Sequence, residues 1–283
     1  MGAVPHVSFL TDYGLADGFV AACHGVLLRR GVSALDITHL IDPGDVRRGA
    51  AVLAQTVPYL PVQVHLAVVD PGVGTSRRGV VLVTPGGMLV GPDNGLLAPA
   101  AAVLGGVRAA MALAASPGAP ATFHGRDVFA PAAAELAAGA APETLGEPVD
   151  PTGLVALPPG LARVSAAGAP QPAPGRLEAP GSQAPCLEAE VVLVDRFGNV
   201  QLAATGGLLA DVGLVFGRRA EVRTGPDDAP LLIPVGVTFG SVGPGELVLY
   251  VDSAGMAAFA VRDGEAAIRL GLVPGDVVTL RAS

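Results

Sequence analysis

Val62–Arg78, VQVHLAVVDPGVGTSRR, joins an apolar run to a bare polar loop, and its reading decides the fold. Val62 to Val69 reads as a buried strand. Asp70 ends it, and Pro71-Gly72-Val73-Gly74 then makes a stiff turn whose glycines let the backbone bend tightly or approach a ligand closely. Arg77 can fold back toward Asp70 from the far side of that turn. Two readings stand side by side. One is a turn stabilised by an Asp side chain with a surface ion pair worth only ~0–1 kcal/mol. The other is a carboxylate and a guanidinium held at a strand's carboxyl end, where α/β sheets gather ligands.

Toward the N-terminus, Val7 to Leu10 reads as another short buried strand, closed by Thr11-Asp12-Tyr13-Gly14. Asp17 is placed to cap a helix through about Arg29. Ala34 to Thr38 reads as a strand and Asp45 to Tyr59 as an amphipathic helix, so strands and helices alternate up to Asp70. Toward the C-terminus, Val80 to Thr84 and Met88 to Val90 read as strands around Pro85-Gly86-Gly87. Gly91-Pro92-Asp93-Asn94-Gly95 opens an Ala-rich helix. A second polar loop, Phe123-His124-Gly125-Arg126-Asp127, leads into a helix from about Val128, with Asp127 as its cap.

From Pro158 to Pro185 the chain turns rich in Pro, Ala and Gly, which reads as a linker. Beyond it, Leu187 to Val194, Gly213 to Phe216, Ala220 to Val222, Glu246 to Val251, Met256 to Val261 and Val277 to Arg281 read as short strands. The expected architecture is an α/β N-terminal domain with a mainly parallel central sheet over residues 1–160. A linker over 161–185 and a smaller all-β, barrel-like C-terminal domain over 186–283 follow.

Composition removes several classes of function. The net charge of −8 over 283 residues argues against nucleic acid, whose binding rests on a basic surface. All 17 basic residues are Arg, so Schiff-base and P-loop lysine chemistry is excluded. Cys23 and Cys186 are too few for a disulfide scaffold or a thiolate metal site, and a reducing cytoplasm is the expected location. The longest apolar region, Gly95 to Ser116, is broken by Pro99, Gly105, Gly106 and Arg108, so no membrane span is expected. The start, MGAVPHVSFLTD, shows no secretory signal.

The remaining candidate residues each have a plain structural alternative. His124 sits beside a glycine that leaves space next to it, and is either a hydrogen-bonded loop residue or a catalytic one. Asp12, at the tip of the first strand, either caps a turn or accepts two hydroxyl hydrogens from a ribose. Asn199, beside Phe197 in VDRFGNVQL, either closes a β-turn or contacts a zwitterionic or aromatic ligand. His6, His24, His39 and His65 show no spacing of a metal site, and no metal is expected.

Taken in order, FLTDYG, VVDPGVGTSRR, GPDNGLL, TFHGRD, VDRFGNVQ and DSAGMAAFAV resemble the SAM hydroxide adenosyltransferase family, a relative of the enzymes that fluorinate or chlorinate S-adenosyl-L-methionine (SAM). The resemblance covers nearly the whole chain outside the linker. It implies an N-terminal α/β domain, a C-terminal β-barrel, and a homotrimer with SAM, the substrate, bound between one subunit's first domain and its neighbour's second. No cofactor is implied. Asp70, Arg77 and His124 match the family's catalytic set, and Asp12 the carboxylate that holds the ribose diol. Asn199 matches the amide on the methionine portion, Phe197 and Ser253 fall at further contact positions, and backbone around Glu265 faces the adenine. Gly125 corresponds to the small or hydroxyl-bearing residue of the halide enzymes' anion site. Gly44 stands where relatives carry an aromatic, Ala254 where the halide enzymes carry an Arg, and the fluorinating enzyme's insertion is absent from Arg78 to Gly91.

The implied reaction is displacement at the 5′ carbon of SAM by water or hydroxide, giving adenosine and L-methionine. Methionine is a good neutral leaving group, so the difficulty lies with a nucleophile whose bulk pKa is ~15.7. A histidine, with an ordinary pKa near ~6.5, is suited to accept the proton. Arg77 would stabilise hydroxide-like charge and Asp70 would orient the water. The competing readings are a SAM-dependent halide adenosyltransferase and a catalytically silent SAM- or adenosine-binding protein.

Overall fold

The computed structural model describes residues 4–114, 122–165, 185–225 and 228–283. The chain divides into two compact units, parted between Pro158 and Pro159. Of the expected linker, Ala162–Ser165 is a strand and residues 166–184 lie outside the described residues.

The first unit runs β1 (His6–Thr11), α1 (Phe19–Leu28), β2 (Ser33–Thr38), α2 (Val46–Thr56), β3 (Val64–Val68), β4 (Gly79–Thr84), β5 (Gly87–Pro92), α3 (Ala98–Val103), β6 (Ala109–Leu113), α4 (Ala130–Ala137) and β7 (Gly146–Val149). Its seven strands lie in the order β2-β1-β3-β5-β4-β6-β7. The pairs from β2 to β5 are parallel and those from β5 to β7 antiparallel. The sheet is therefore mixed, not mainly parallel. The tight turn at Gly86 and Gly87 forces β5 back along β4, and a hairpin can only be antiparallel.

Alternation along the strands sorts the core. Val7, Phe9, Val64, Leu66 and Val68 pack with Cys23, Val26 and Leu27 of α1 and Ala130, Ala133 and Ala134 of α4. Ala67, Val69, Val80, Leu82 and Leu89 pack with Ala50 and Leu53 of α2 and Ala100 and Ala101 of α3. Successive strand side chains point to opposite faces, so each face of the sheet is covered by its own helix pair.

Two helix starts differ from expectation, and one of them is α4, which begins at Ala130 after Phe129 and is not capped by Asp127. Asp17 does not cap α1, which begins at Phe19 after Gly18 with no side-chain cap bond. Asp45 does cap α2, accepting from the Arg48 backbone at 2.9 Å.

The second unit runs β8 (Ala162–Ser165), β9 (Cys186–Val194), β10 (Val200–Thr205), α5 (Gly206–Asp211), β11 (Arg219–Arg223), β12 (Leu231–Pro234), β13 (Leu247–Val251), β14 (Met256–Val261), α6 (Ala266–Leu270) and β15 (Val277–Ala282). The order is β12-β11-β15-β9-β10-β14-β13, with β8 on β9, and every pair is antiparallel. A bridge from Val235 to Leu249 links the two outer strands' ends, so the sheet nearly closes on itself. The unit is not purely β. The short helix α5 follows β10, its start capped by Thr205, and the segment Gly213–Phe216, read as a strand, is turn and coil that follows it.

Candidate active site

The parallel register decides which residues of the first unit meet. Leu10 pairs with Thr38 and with Ala67, and Thr11 pairs with Val68. The carboxyl ends of β2, β1 and β3 thus lie side by side and deliver His39, Asp12 and Asp70 to one edge of the sheet. Asn94, just past β5, donates from Nδ2 to the Val69 carbonyl at 2.8 Å and clips the last turn of chain before Asp70.

The loop after Asp70 is held by its own backbone. Val73 N–H donates to the Asp70 carbonyl at 3.2 Å, Thr75 Oγ1 donates to the Gly72 carbonyl at 2.7 Å, and Gly74 takes a φ of +79° that favours glycine. Arg77 returns over this loop and forks onto Asp70: Nε donates to Oδ1 at 3.0 Å and Nη2 to Oδ2. The side chains of Arg77 and Asp70 are only 9% and 6% exposed, so this is no surface ion pair. Losing one partner of such a buried pair costs on the order of 3–5 kcal/mol. The neighbouring Arg78 has another task, forking onto buried Asp93 and donating to the Gly153 carbonyl at 2.9 Å.

His124 joins the string. Arg77 Nη2 lies 3.1 Å from His124 Nδ1, and a guanidinium can only donate. We assign the Nδ1 lone pair as the acceptor, so the neutral ring carries its proton on Nε2. Phe129 packs beside both residues, 5.2 Å from the Arg77 guanidinium carbon and 6.4 Å from the His124 ring centre. His124 is the last residue before a π-turn, Gly125–Phe129, in which Ala130 N–H donates to the Gly125 carbonyl; π-turns inside helices are frequent at functional sites. Arg126 and Asp127 pair with each other in that turn at 2.6 to 2.7 Å.

The space expected beside Gly125 is not empty. A Cβ there would lie 1.9 Å from the Tyr13 hydroxyl, so Gly125 is needed for Tyr13 to reach across. Burial raises the Tyr13 pKa and keeps its hydroxyl protonated. Asp12, one residue earlier, accepts from Gly44 N–H at 2.8 Å through Oδ2. Its pKa is raised, first by burial and in smaller part by the Asp70 charge, against the pull of that backbone bond. Tyr13 was not singled out by the sequence reading, although it sits inside FLTDYG.

The second unit holds the other set. Asp195 organises a loop between β9 and β10, accepting from Phe197 N–H at 2.8 Å, Asn199 N–H at 2.9 Å and Asn199 Nδ2 at 2.8 Å. The Asn199 amide thus closes a turn, leaving its Oδ1 as the atom to offer a ligand. Phe197 is 75% exposed, a large apolar ring on the surface. Gly198, at φ +75°, lies against Glu265, and its carbonyl accepts from Ala267 N–H at 2.9 Å, so this loop and the start of α6 form one ledge. Ser253 is exposed in the turn Asp252–Gly255, where Asp252 accepts from Ala254 N–H at 2.8 Å. Burial, then Asp252 and Asp195, raise the Tyr250 pKa, which marks Tyr250 as their neighbour.

Other chemistry recedes. Burial pushes the Cys23 thiol up to about 12, far from a thiolate nucleophile. A cleft of about 340 Å³ lined by Leu82, Leu97 and Leu154 is mainly apolar and contains none of Asp70, Arg77 and His124. No helix among the described residues is long and apolar enough to cross a membrane.

A buried carboxylate at a strand's end, a buried guanidinium and a half-buried imidazole are bonded in series, an arrangement suited to chemistry on a small molecule. The chain belongs to the SAM hydroxide adenosyltransferase family: the family's N-terminal domain matches residues 7–146 and its C-terminal domain residues 189–279. It is 52% identical, over the full length of both chains, to the (R)-S-adenosyl-L-methionine hydrolase of Salinispora tropica. It is 43% identical to the protein of that name from Thermus thermophilus, covering 97% of this chain and 98% of the other. The crystal structure of an uncharacterized conserved protein from Thermotoga maritima superposes with a TM-score of 0.83 at 31% identity, covering 97% of this chain and 99% of that one.

Proposed function

We propose that this chain hydrolyses S-adenosyl-L-methionine to adenosine and L-methionine. L fixes the α-carbon, so the (R) in its relatives' name describes the sulfonium, and we take that epimer as the substrate. The observation that carries the reading is Arg77 Nη2 bonded to both Asp70 and His124. In the reaction, the water oxygen bonds to the 5′ carbon as the carbon–sulfur bond breaks, and that bond's electron pair neutralises the sulfonium. The water's proton goes to Asp70, whose oxygens each keep a lone pair after accepting from Arg77. With its Nδ1 lone pair turned to Arg77, His124 donates Nε2–H to the attacking oxygen. It holds the oxygen in line and does not act as the first base. Asp12 holds the ribose diol, Gly125 makes room for the Tyr13 hydroxyl beside the reacting centre, and no cofactor takes part.

We read the first unit, through Pro158, as the catalytic domain and the second as a barrel-like domain whose Asn199, Phe197, Ser253 and backbone near Glu265 are further substrate contacts. The family resemblance supports a homotrimer, whose assembly light scattering tests, and two free cysteines support a reducing cytoplasm. The test of function is chromatography of products after incubation with each sulfonium epimer, with and without chloride or fluoride. Adenosine and methionine formed without halide, and lost in Asp70→Ala and His124→Ala, are expected. A 5′-halogenated nucleoside that requires halide makes the chain a halide adenosyltransferase. Bound, unreacted SAM makes it a silent binding protein.

A further inference from the structure

A second cluster lies at the outer strand of the first sheet. His24 on α1, Asp36 on β2 and His39 just after β2 offer one donor atom each, all within 4.8 Å of one another. Asp36 Oδ1 is 2.9 Å from His24 Nε2 and 3.2 Å from His39 Nε2. In a tetrahedral zinc site with bonds of 2.0–2.1 Å, neighbouring ligand atoms are about 3.3 Å apart, so the two separations from Asp36 already suit a shared ion.

His39 supplies the independent sign. The residue is 96% buried by its 4% exposure, yet its Nε2 has no hydrogen-bond partner, because Asp36 satisfies the distance and not the direction. Its Nδ1 lies 2.8 Å from Thr11 Oγ1, which also accepts from Tyr13 N–H at 3.2 Å. We assign the Nδ1 proton as donated to that hydroxyl, which leaves a bare lone pair on Nε2, beside His24 and Asp36. This is the support that metal-ligating histidines ordinarily have on their second nitrogen.

We propose that His24, Asp36 and His39 form a binding site for a divalent transition ion, zinc(II) being the one their chemistry fits, with three protein ligands and at least one position open to water. The spacing 24, 36, 39 does not display such a site, because a helix and a strand must cross to build it. Its place gives it a consequence. Thr11 precedes Asp12, and Gly14 N–H donates to the His39 carbonyl at 2.8 Å, so an ion here clamps the chain on both sides of Asp12.

The test uses tag-free, chelator-treated full-length chain. Cobalt(II) is titrated and followed by its visible d–d absorption, and zinc(II) by calorimetry, with wild type beside His24→Ala and Asp36→Asn. Both positions are partly exposed, at 30% and 42%, so these variants are expected to fold. The proposal requires one zinc per chain at micromolar affinity or tighter, a four- or five-coordinate cobalt spectrum, a higher thermal midpoint with zinc, and affinity at least 30-fold weaker in each variant. No zinc binding below about 100 µM, or binding unchanged in both variants, overturns it and leaves a hydrogen-bonded cluster.

Discussion

The Tyr13 hydroxyl and Gly125 share one space: a Cβ at position 125 would lie 1.9 Å from that oxygen. Tyr13 follows Asp12 and Gly125 follows His124, so the contact locks the loop after β1 to the π-turn and fixes the separation of two site residues. Gly125→Ala is expected to destabilise the protein by about 1–3 kcal/mol, as overpacking does, and to lower turnover. Tyr13→Phe in the same chain should restore part of both losses. Denaturant midpoints and adenosine release for the two single variants and the double check this; additive effects would mean that the two residues do not meet.

Arg77→Lys keeps the charge and loses the fork. One ammonium cannot reproduce the paired contact to Asp70 together with the bond to His124. Turnover should fall on the order of 100-fold, while binding of adenosine, which does not need the attacking water, changes little. Calorimetry with adenosine beside steady-state kinetics separates the two, and full activity in the lysine variant would exclude Arg77 from charge stabilisation.

The string also sets a pH dependence. Protonating His124 on Nδ1 would face an N–H against the guanidinium and break the series, and protonating Asp70 would remove the acceptor for water's proton. The rate should therefore fall on acidification. His124→Gln, which can still donate to the oxygen, should keep more activity than His124→Ala. A flat profile would remove both groups from these roles.

His65 governs stability. It is 1% exposed, bonded to Ser8 Oγ at 2.8 Å, and burial lowers its pKa to about 4. Its unfolded value is near ~6.5, so the unfolded chain binds more protons between the two, and stability is lost as pH falls through that window. From pH 7.5 to 5 the loss is about 2 kcal/mol. Denaturant unfolding of wild type and His65→Gln at the two pH values tests this, and the variant should be flatter by that amount.

The site's first half was legible because its residues follow strands with strong apolar runs: Asp12 and Asp70 stand where the parallel register must bring them together. FHGRD was legible as a loop, but its π-turn and the Tyr13 contact were not, since both depend on packing between segments more than a hundred residues apart. The antiparallel half of the first sheet was hidden for a related reason. Val80–Thr84 reads as a strand whichever way its neighbour runs, and β6 is an Ala-rich strand with little β preference of its own. In the second unit, α5 and α6 span only 6 and 5 residues, too short for a helical period to declare itself.

The π-turn at Gly125–Phe129 has a consequence for reading descent. A π-turn holds one residue more than the α-turn it replaces, and one residue advances a helix by about 100°. Ala130, Ala133 and Ala134 can therefore keep facing the core while His124 faces Arg77, two directions that an uninterrupted α-helix would not reconcile. Deleting a single residue here would swing the imidazole away and leave the buried helix undisturbed. When distant sequences are aligned across this segment, a one-residue gap is thus the event to look for, and its presence would mark a lineage that kept the fold and gave up the chemistry.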